Sequence, residues 1–265
     1  MLSKRCLKRT SKHSRRKTVD QNRRLFLKWR PFNFCDRFCE RCGEYQNDCS
    51  VYLNDLDFKV KCQIEGKDSD DPKIIFDHVG QIFSQTIEIL REIMKERGIE
   101  ITKEDEKQSA REEEAERRVA EKSLLFKKAR YFSRSASNFL DKFQAVATDD
   151  LLIDYIQQEL EEFSRYCCLV FAKADRAIFS KISEEKYRIK SSRSDSAISA
   201  ALGYYSLLAC QKSLESIKNL AANNNDQALR LNRILKISEE AEKEFEKKFP
   251  LVKNYKNKII FHGRI

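Results

Sequence analysis

Apolar residues recur at spacings of three and four along most of this chain, which is the period of one face of an α-helix. The clearest stripe runs through residues 72–97 and includes Ile75, Phe83 and Leu90. Asp71 and Pro72 form a helix-start signal before the stripe, and Gly98 is a typical C-terminal cap after it. We therefore predict a helix here whose apolar face packs into a core.

Similar patterns predict four further helices, over residues 119–146, 150–182, 197–222 and 226–248. Residues 103–118 are almost entirely charged and predict either a linker or a solvated helical extension. Residues 51–71 are polar and predict a connection without an apolar stripe. The predicted fold is all-α, with a bundle of about five helices over residues 72–262.

Composition agrees with a helical protein, because only 6 of the 265 residues are Gly and 3 are Pro, while 35% are charged. No run of eighteen apolar residues is present, so we expect no membrane span. The N-terminus has no apolar segment of the secretory type, and we expect a cytoplasmic protein. In a reducing compartment, clustered thiols bind metal more often than they form disulfides.

Four of the nine cysteines lie within fifteen residues, with the spacing C-x3-C-x2-C-x6-C. They are Cys35, Cys39, Cys42 and Cys49. The first three can converge from one side of a helical turn, and a bound metal would hold a segment too short to bury a core of its own. The sequence therefore predicts a metal-binding loop over residues 31–62.

Two kinds of metal centre suit four thiolates. A [4Fe-4S] cluster is favoured by the close spacing of three cysteines, whereas structural Zn²⁺ usually joins two separated pairs. Both remain open. The C-x3-C-x2-C spacing also occurs in radical SAM enzymes, but no alternation of strands and helices follows it here.

The basic character of the protein is concentrated at its N-terminus. Residues 1–34 contain twelve Lys or Arg and one acid, while the net charge of the whole chain is +10. We expect residues 1–30 to be a disordered tail, which either contacts nucleic acid or another polyanion or is a solvated terminus without a specific role. The cations assigned to this contact are Arg5, Lys8, Arg9, Lys12, Arg15, Arg16, Lys17, Arg23 and Arg24.

Catalytic motifs are not apparent. His13, His78 and His262 are far apart in the sequence, and none is near a nucleophile motif. No Gly-rich phosphate loop and no Glu-x-x-His pair occurs. We therefore predict no catalytic residues and expect that the protein is not an enzyme.

Charged residues in the third predicted helix are interpreted as solvated. Glu159, Glu161 and Glu162 are expected on an exposed face. Lys173 and Arg176, one turn apart, are expected on a similar face rather than in an anion site.

Three pieces of this chain resemble a group of uncharacterised bacterial helical proteins with a CDRWCERC-type cysteine loop. The pieces are the loop 35–42, the AKADRA segment at 172–177 and the Phe249–Pro250 stop. Phe38 stands where that group has Trp, and Gly43 where it has Pro. The resemblance implies a metal loop attached to a helical body and implies no activity.

Together these patterns predict a non-catalytic binding protein with a four-cysteine metal centre and a polyanion-binding tail. The alternative is an iron-sulfur redox or sensor protein, in which the cluster itself is the active part.

Overall fold

The computed structural model describes residues 34–146, 150–188, 194–220 and 225–265. Within these ranges the regular structure is helical and contains no strand, so the predicted all-α class is confirmed for them. The predicted polyanion-binding tail, residues 1–30, lies outside the described residues. Among the helices of the described ranges, none combines the length and the apolar character needed to cross a membrane.

Seven α-helices succeed one another in the described part of the chain. They are α1 (Ser50–Ile64), α2 (Pro72–Glu96), α3 (Lys103–Lys122), α4 (Leu124–Val146), α5 (Asp150–Lys186), α6 (Asp195–Leu220) and α7 (Asn225–Lys248). Short 3₁₀ helices precede and follow them: η1 (Cys39–Arg41), η2 (Gly43–Asp48) and η3 (Val252–Lys258).

The first helix, α1, occupies most of residues 51–71, so the prediction of a polar connection there is wrong. The segment has no apolar stripe, and Cys62 is its one buried residue. The chain turns away from the helix at Gly66, two residues after Ile64, with a φ of 67° that glycine adopts without strain. Helix formation therefore did not depend on an amphipathic pattern here.

The ends of α2 follow the sequence signals. The Asp71 side chain accepts a hydrogen bond of 2.8 Å from the backbone N–H of Lys73, and Gly98 adopts a φ of 62° after the last turn. The expected packing of its apolar face is wrong, because no residue of α2 is buried. Phe83 is 65% exposed and Leu90 is 51% exposed. The pattern shows which face is apolar, not whether another element covers it.

The described chain forms two compact units. One unit contains the described residues up to Cys42 together with Glu116–Ile265, and the other is Gly43–Ala115. The second unit holds α1, α2 and most of α3, so the charged stretch 103–118 is helical.

Four helices surround the core of the first unit. In cyclic order, α4 packs on α5, α5 on α6, α6 on α7, and α7 on α4. The most thoroughly buried of them is α6, where small residues alternate with fully buried Leu207 and Leu214. The thiol of Cys167 in α5 also lies in this core, and burial raises its pKa to about 12. This thiol is therefore a core residue, whereas the adjacent Cys168, which lies in the same apolar segment of the sequence, is exposed.

Candidate metal centre

The cysteine loop and the C-terminal segment lie side by side. Cys35 forms an isolated parallel bridge with Ile260. The N–H of Asp36 donates to the carbonyl of Ile260 at 3.1 Å, and the N–H of Ile260 donates to the carbonyl of Phe34 at 2.7 Å. Ile259 and Ile260 are both buried, so their apolar side chains hold the last residues of the chain against the core.

Asp36 is the buried acceptor at the centre of this arrangement. Its Oδ2 atom accepts hydrogen bonds from the Tyr166 hydroxyl at 2.8 Å and from the His262 backbone N–H at 2.6 Å. Its Oδ1 atom accepts from the Phe38 N–H at 3.1 Å and lies 2.9 Å from His262 Nδ1. The carboxylate side chain is fully buried. These four interactions join the loop, α5 and the C-terminus.

Asp36 also orients the His262 ring toward the loop. The second ring nitrogen, Nε2, lies 3.6 Å from the Sγ atom of Cys42. When the ring proton is on Nδ1, Nδ1–H donates a hydrogen bond to the carboxylate, and the lone pair of Nε2 is on the side of the Cys42 sulfur. The imidazole of His262 therefore contacts the carboxylate through one nitrogen and the thiol through the other, although Asp36 and His262 are 226 positions apart in the sequence.

The charge state of this cluster follows from its hydrogen bonds. Burial alone would raise the pKa of Asp36, but the hydrogen bonds from His262 and from the Tyr166 hydroxyl outweigh burial and lower it. The pKa of Tyr166 is raised by burial and by the neighbouring carboxylate. Asp36 is thus an anion beside a neutral phenol at neutral pH.

A second buried carboxylate, Glu162, binds Arg41 and Arg264. Its oxygens accept from the Arg264 backbone N–H at 2.7 Å and from the Arg41 guanidinium at 2.9 Å. Arg264 also makes two bonds with Glu159, of 2.8 and 2.7 Å. The expectation of a solvated face is therefore wrong for Glu162, which is 1% exposed, and for Glu159, which is mostly covered. Only Glu161 is exposed as predicted.

Aromatic packing completes the site. The guanidinium carbons of Arg41 and Arg165 each lie 3.9 Å from the centre of the Phe38 ring. At Gly263, an added Cβ would lie 2.6 Å from the Phe261 ring and 2.9 Å from the Tyr166 ring. A side chain at position 263 would therefore have to displace these rings, and glycine lets the C-terminal segment lie this close to α5.

The predicted cysteine ligands occupy different surroundings. Cys35 is buried, and its sulfur accepts a hydrogen bond of 3.2 Å from the backbone N–H of Arg37. Cys39 and Cys42 are half-buried. Cys49 is buried as the N-cap residue of α1, in the second unit. Within the described ranges, no three His, Cys, Asp or Glu side chains are already grouped as metal ligands.

The two cations of the AKADRA segment differ from each other. Arg176 is exposed and bonds to Asp195 at 3.0 Å, as a solvated face predicts. Lys173 is half-buried, and its pKa is lowered by burial and then by the charges of Arg176 and Arg37. Lys173 is therefore less exposed than the sequence indicated.

Sequence reasoning missed Asp36, Tyr166 and His262 as members of this site. Asp36 lies within the cysteine motif, whose spacing singles out the thiols alone. The apolar triplet Ile259–Phe261 was the available signal for His262, because it predicts that the chain end returns to the core. Which residue it would meet could not be read from periodicity.

No protein-family model, curated protein or solved structure matches this chain.

Proposed function

We propose that this is a non-catalytic binding protein in which a metal centre clamps the cysteine loop and the C-terminal segment to the helical body. The observation that carries this proposal is that His262 contacts both Asp36 and Cys42, with 3.6 Å between Nε2 and Sγ. The basic tail, residues 1–30, supplies the second part of the function, which is contact with a polyanion.

The distance of 3.6 Å between His262 Nε2 and Cys42 Sγ fits two ligands of one metal ion. A tetrahedral zinc, with bonds of about 2.3 Å to sulfur and about 2.0–2.1 Å to nitrogen, places these two ligand atoms about 3.6 Å apart. Metal-bound histidines commonly donate their other ring N–H to a carboxylate, which fixes the ring orientation. Asp36 is placed to do this for His262.

Two sets of four metal ligands are possible, and they differ in one residue. Cys35, Cys39 and Cys42 are shared by both, and the fourth donor is either Cys49, from the sequence spacing, or His262, from the structure. Three thiolates with one imidazole suit zinc. Four thiolates suit either zinc or a [4Fe-4S] cluster, in which each cysteine binds a different iron.

Metal analysis and absorption spectra of anaerobically purified protein test the metal centre. We expect about one equivalent of zinc, or about four of iron with broad visible absorbance. Replacing Cys35, Cys39 or Cys42 with Ser should remove most of the metal, while Cys168→Ser, at an exposed cysteine outside the loop, should not. Less than about half an equivalent of either metal in the native protein would reject the proposal.

The fourth ligand is decided by two variants. If His262 binds the metal, His262→Ala lowers metal content as strongly as Cys42→Ser, and Cys49→Ser leaves it unchanged. The reverse result assigns Cys49. Equal retention in both variants, with full loading in the native protein, would exclude both as ligands.

The tail is tested separately. Deleting residues 1–24 removes ten cations. Binding to a polyanion should weaken, and its dependence on salt should become shallower, because fewer counterions are released. A full-length variant with those ten residues changed to Gln is the control for chain length. Unchanged binding in both variants would remove the tail from the function.

An iron-sulfur redox or sensor protein is the second candidate. Partial exposure of Cys39 and Cys42 favours it, because a cluster there would be within reach of oxidants. Reversible bleaching of visible absorbance by dithionite would support this role. A colourless zinc protein would exclude it.

A further inference from the structure

A groove of about 340 Å³ lies between α4 and α7, within the first unit. Its α4 wall carries Tyr131, Ser135, Asn138 and Lys142, which follow one another at helical spacings of four, three and four. These four residues therefore line one face of α4 over about 16 Å. The α7 wall carries Arg230 and Arg233.

The groove is cationic along its length. Lys142, Arg230 and Arg233 are all exposed, and none of the residues that the structure describes in the groove lining is acidic. The Arg233 guanidinium donates a long hydrogen bond of 3.4 Å to the Tyr131 hydroxyl, which keeps it beside the ring. Because no carboxylate among the described lining residues neutralises these cations, the groove has the charge expected of an anion-binding surface.

An ion pair between the same two helices neutralises the surface next to the groove. One turn before Tyr131 on α4, Lys128 pairs with Glu240 of α7 at 2.5 Å. This ion pair lies at one end of the groove and separates it from the acidic second half of α7. The unneutralised stretch is therefore limited to the walls between Tyr131 and Lys142.

We propose that this groove binds a single-stranded nucleic acid, whose phosphates contact Lys142, Arg230 and Arg233 and whose bases stack on Tyr131. The Tyr131 side chain is 46% exposed at the groove wall. Cations that follow the backbone, combined with an aromatic ring for bases, are the usual means of binding single strands without sequence preference. The Asn138 amide and the Ser135 hydroxyl add hydrogen-bonding groups beside the ring.

An acidic peptide would use the three cations but would leave the exposed ring and its polar neighbours without a role. Arginine also favours nucleic acid, because its planar guanidinium both pairs with phosphate and stacks on bases. This surface goes beyond the proposed function, since it needs neither the basic tail nor the metal centre.

Fluorescence anisotropy with a labelled thymidine oligonucleotide of about 20 nucleotides tests the proposal on the full-length protein. The variant Lys142→Gln/Arg230→Gln/Arg233→Gln should bind at least about tenfold more weakly. Its slope of log affinity against log salt should be shallower by about 2, because each phosphate that a cation neutralises on a single strand contributes about 0.7 to that slope.

A control variant matches the change in charge. Lys127, Lys212 and Lys243 are exposed on α4, α6 and α7 and do not line the groove. Changing these three to Gln should weaken binding by less than about threefold, since the substitutions reduce only the general attraction of a cationic protein for a polyanion. Equal weakening in the two triple variants would overturn the proposal.

Stacking is tested by a second pair of variants, which also serves if the triple variant is poorly folded. Tyr131→Ala should weaken binding by about tenfold, whereas Tyr131→Phe should bind as the native protein does. Native affinity in Tyr131→Ala would exclude the stacking role. If polyglutamate of equal charge displaces the oligonucleotide equally well, the groove is a site for acidic peptides and the nucleic-acid proposal is wrong.

Discussion

Replacing Glu162 with Gln tests whether the buried carboxylate on α5 holds the C-terminal segment in place. The substitution keeps the size of the side chain and removes its charge. The native carboxylate accepts from the Arg264 N–H at 2.7 Å, from the Arg41 guanidinium at 2.9 Å and from Arg264 Nε at 3.3 Å. Glutamine has a single acceptor oxygen, so it cannot satisfy all of these donors.

The size of the effect follows from this geometry. If the Gln oxygen faces the two guanidinium groups, its NH₂ group points at the buried N–H of Arg264. A hydrogen bond to a charged group contributes about 1.5–3 kcal/mol, and breaking a fully buried ion pair costs about 3–5 kcal/mol. The Arg41 and Arg264 side chains are 32% and 38% exposed, so water replaces part of the interaction that the substitution removes. We expect a decrease of about 2–3 kcal/mol in the free energy of unfolding.

The decrease should depend on pH. Burial alone would raise the pKa of Glu162, but the N–H of Arg264 and the guanidinium of Arg41 outweigh burial and lower it below its ordinary value of 4.5. A lowered folded-state pKa adds stability above pH 4.5, and this stability is lost as the pH falls through the folded-state pKa. The difference between native protein and variant should therefore be constant near neutral pH and shrink below about pH 4.5.

Urea unfolding followed by far-ultraviolet circular dichroism measures both effects. Glu161→Gln is the matched control, because Glu161 is the preceding residue of the same helix and its hydrogen bond with Gln157 is exposed. The control should change stability by less than about 0.5 kcal/mol. The reasoning is refuted if Glu162→Gln is as mild as this control, or if its effect is the same at pH 3 and pH 7.

Three other outcomes are expected, each measured by urea or thermal unfolding. Leu207→Ala should lower the free energy of unfolding by about 2–5 kcal/mol, because the side chain is fully buried. Leu90→Ala should lower it by less than about 1 kcal/mol, because about half of the residue is exposed. Equal decreases in the two variants would contradict this difference in burial. Gly263→Ala should lower the free energy of unfolding by about 1–3 kcal/mol, because the added Cβ would overlap the Phe261 and Tyr166 rings. A variant with the native melting temperature would show that the C-terminal segment is not packed on Tyr166. Deleting residues 1–24 should leave the helical content and the melting temperature nearly unchanged, and a marked decrease in either would show that the tail contributes to the fold.

Local signals predicted the helices and several of their ends. The Asp71 cap and the Gly98 terminator act within one turn of backbone, so residue type alone determines them. The apolar spacing of α4 to α7 likewise predicted helices whose stripes form the core. The polar helix α1 was missed because amphipathicity is the main signal for a helix in a sequence, and α1 has almost none.

Periodicity predicts which face of a helix is apolar but not which neighbour covers it. The stripe of α2 reads like those of α4 and α5, yet Phe83 and Leu90 are exposed while Phe132 and Phe163 are fully buried. Sequence also does not show which charged residues are buried. Glu161 and Glu162 of α5 are adjacent, yet Glu161 is exposed and Glu162 is buried, because Glu162 binds partners from another part of the chain. Burial of a charged side chain depends on such partners.

The cysteine spacing by itself identified a candidate metal loop, since thiolates within eight residues of one another need little help from the rest of the fold. Only the tertiary structure brought His262 to Asp36 in that loop. The chain end is held there by Ile259 and Ile260 in the core and by backbone bonds to Phe34 and Asp36. Contacts between residues more than two hundred positions apart are decided by how the helices pack, and no local pattern in the sequence carries that information.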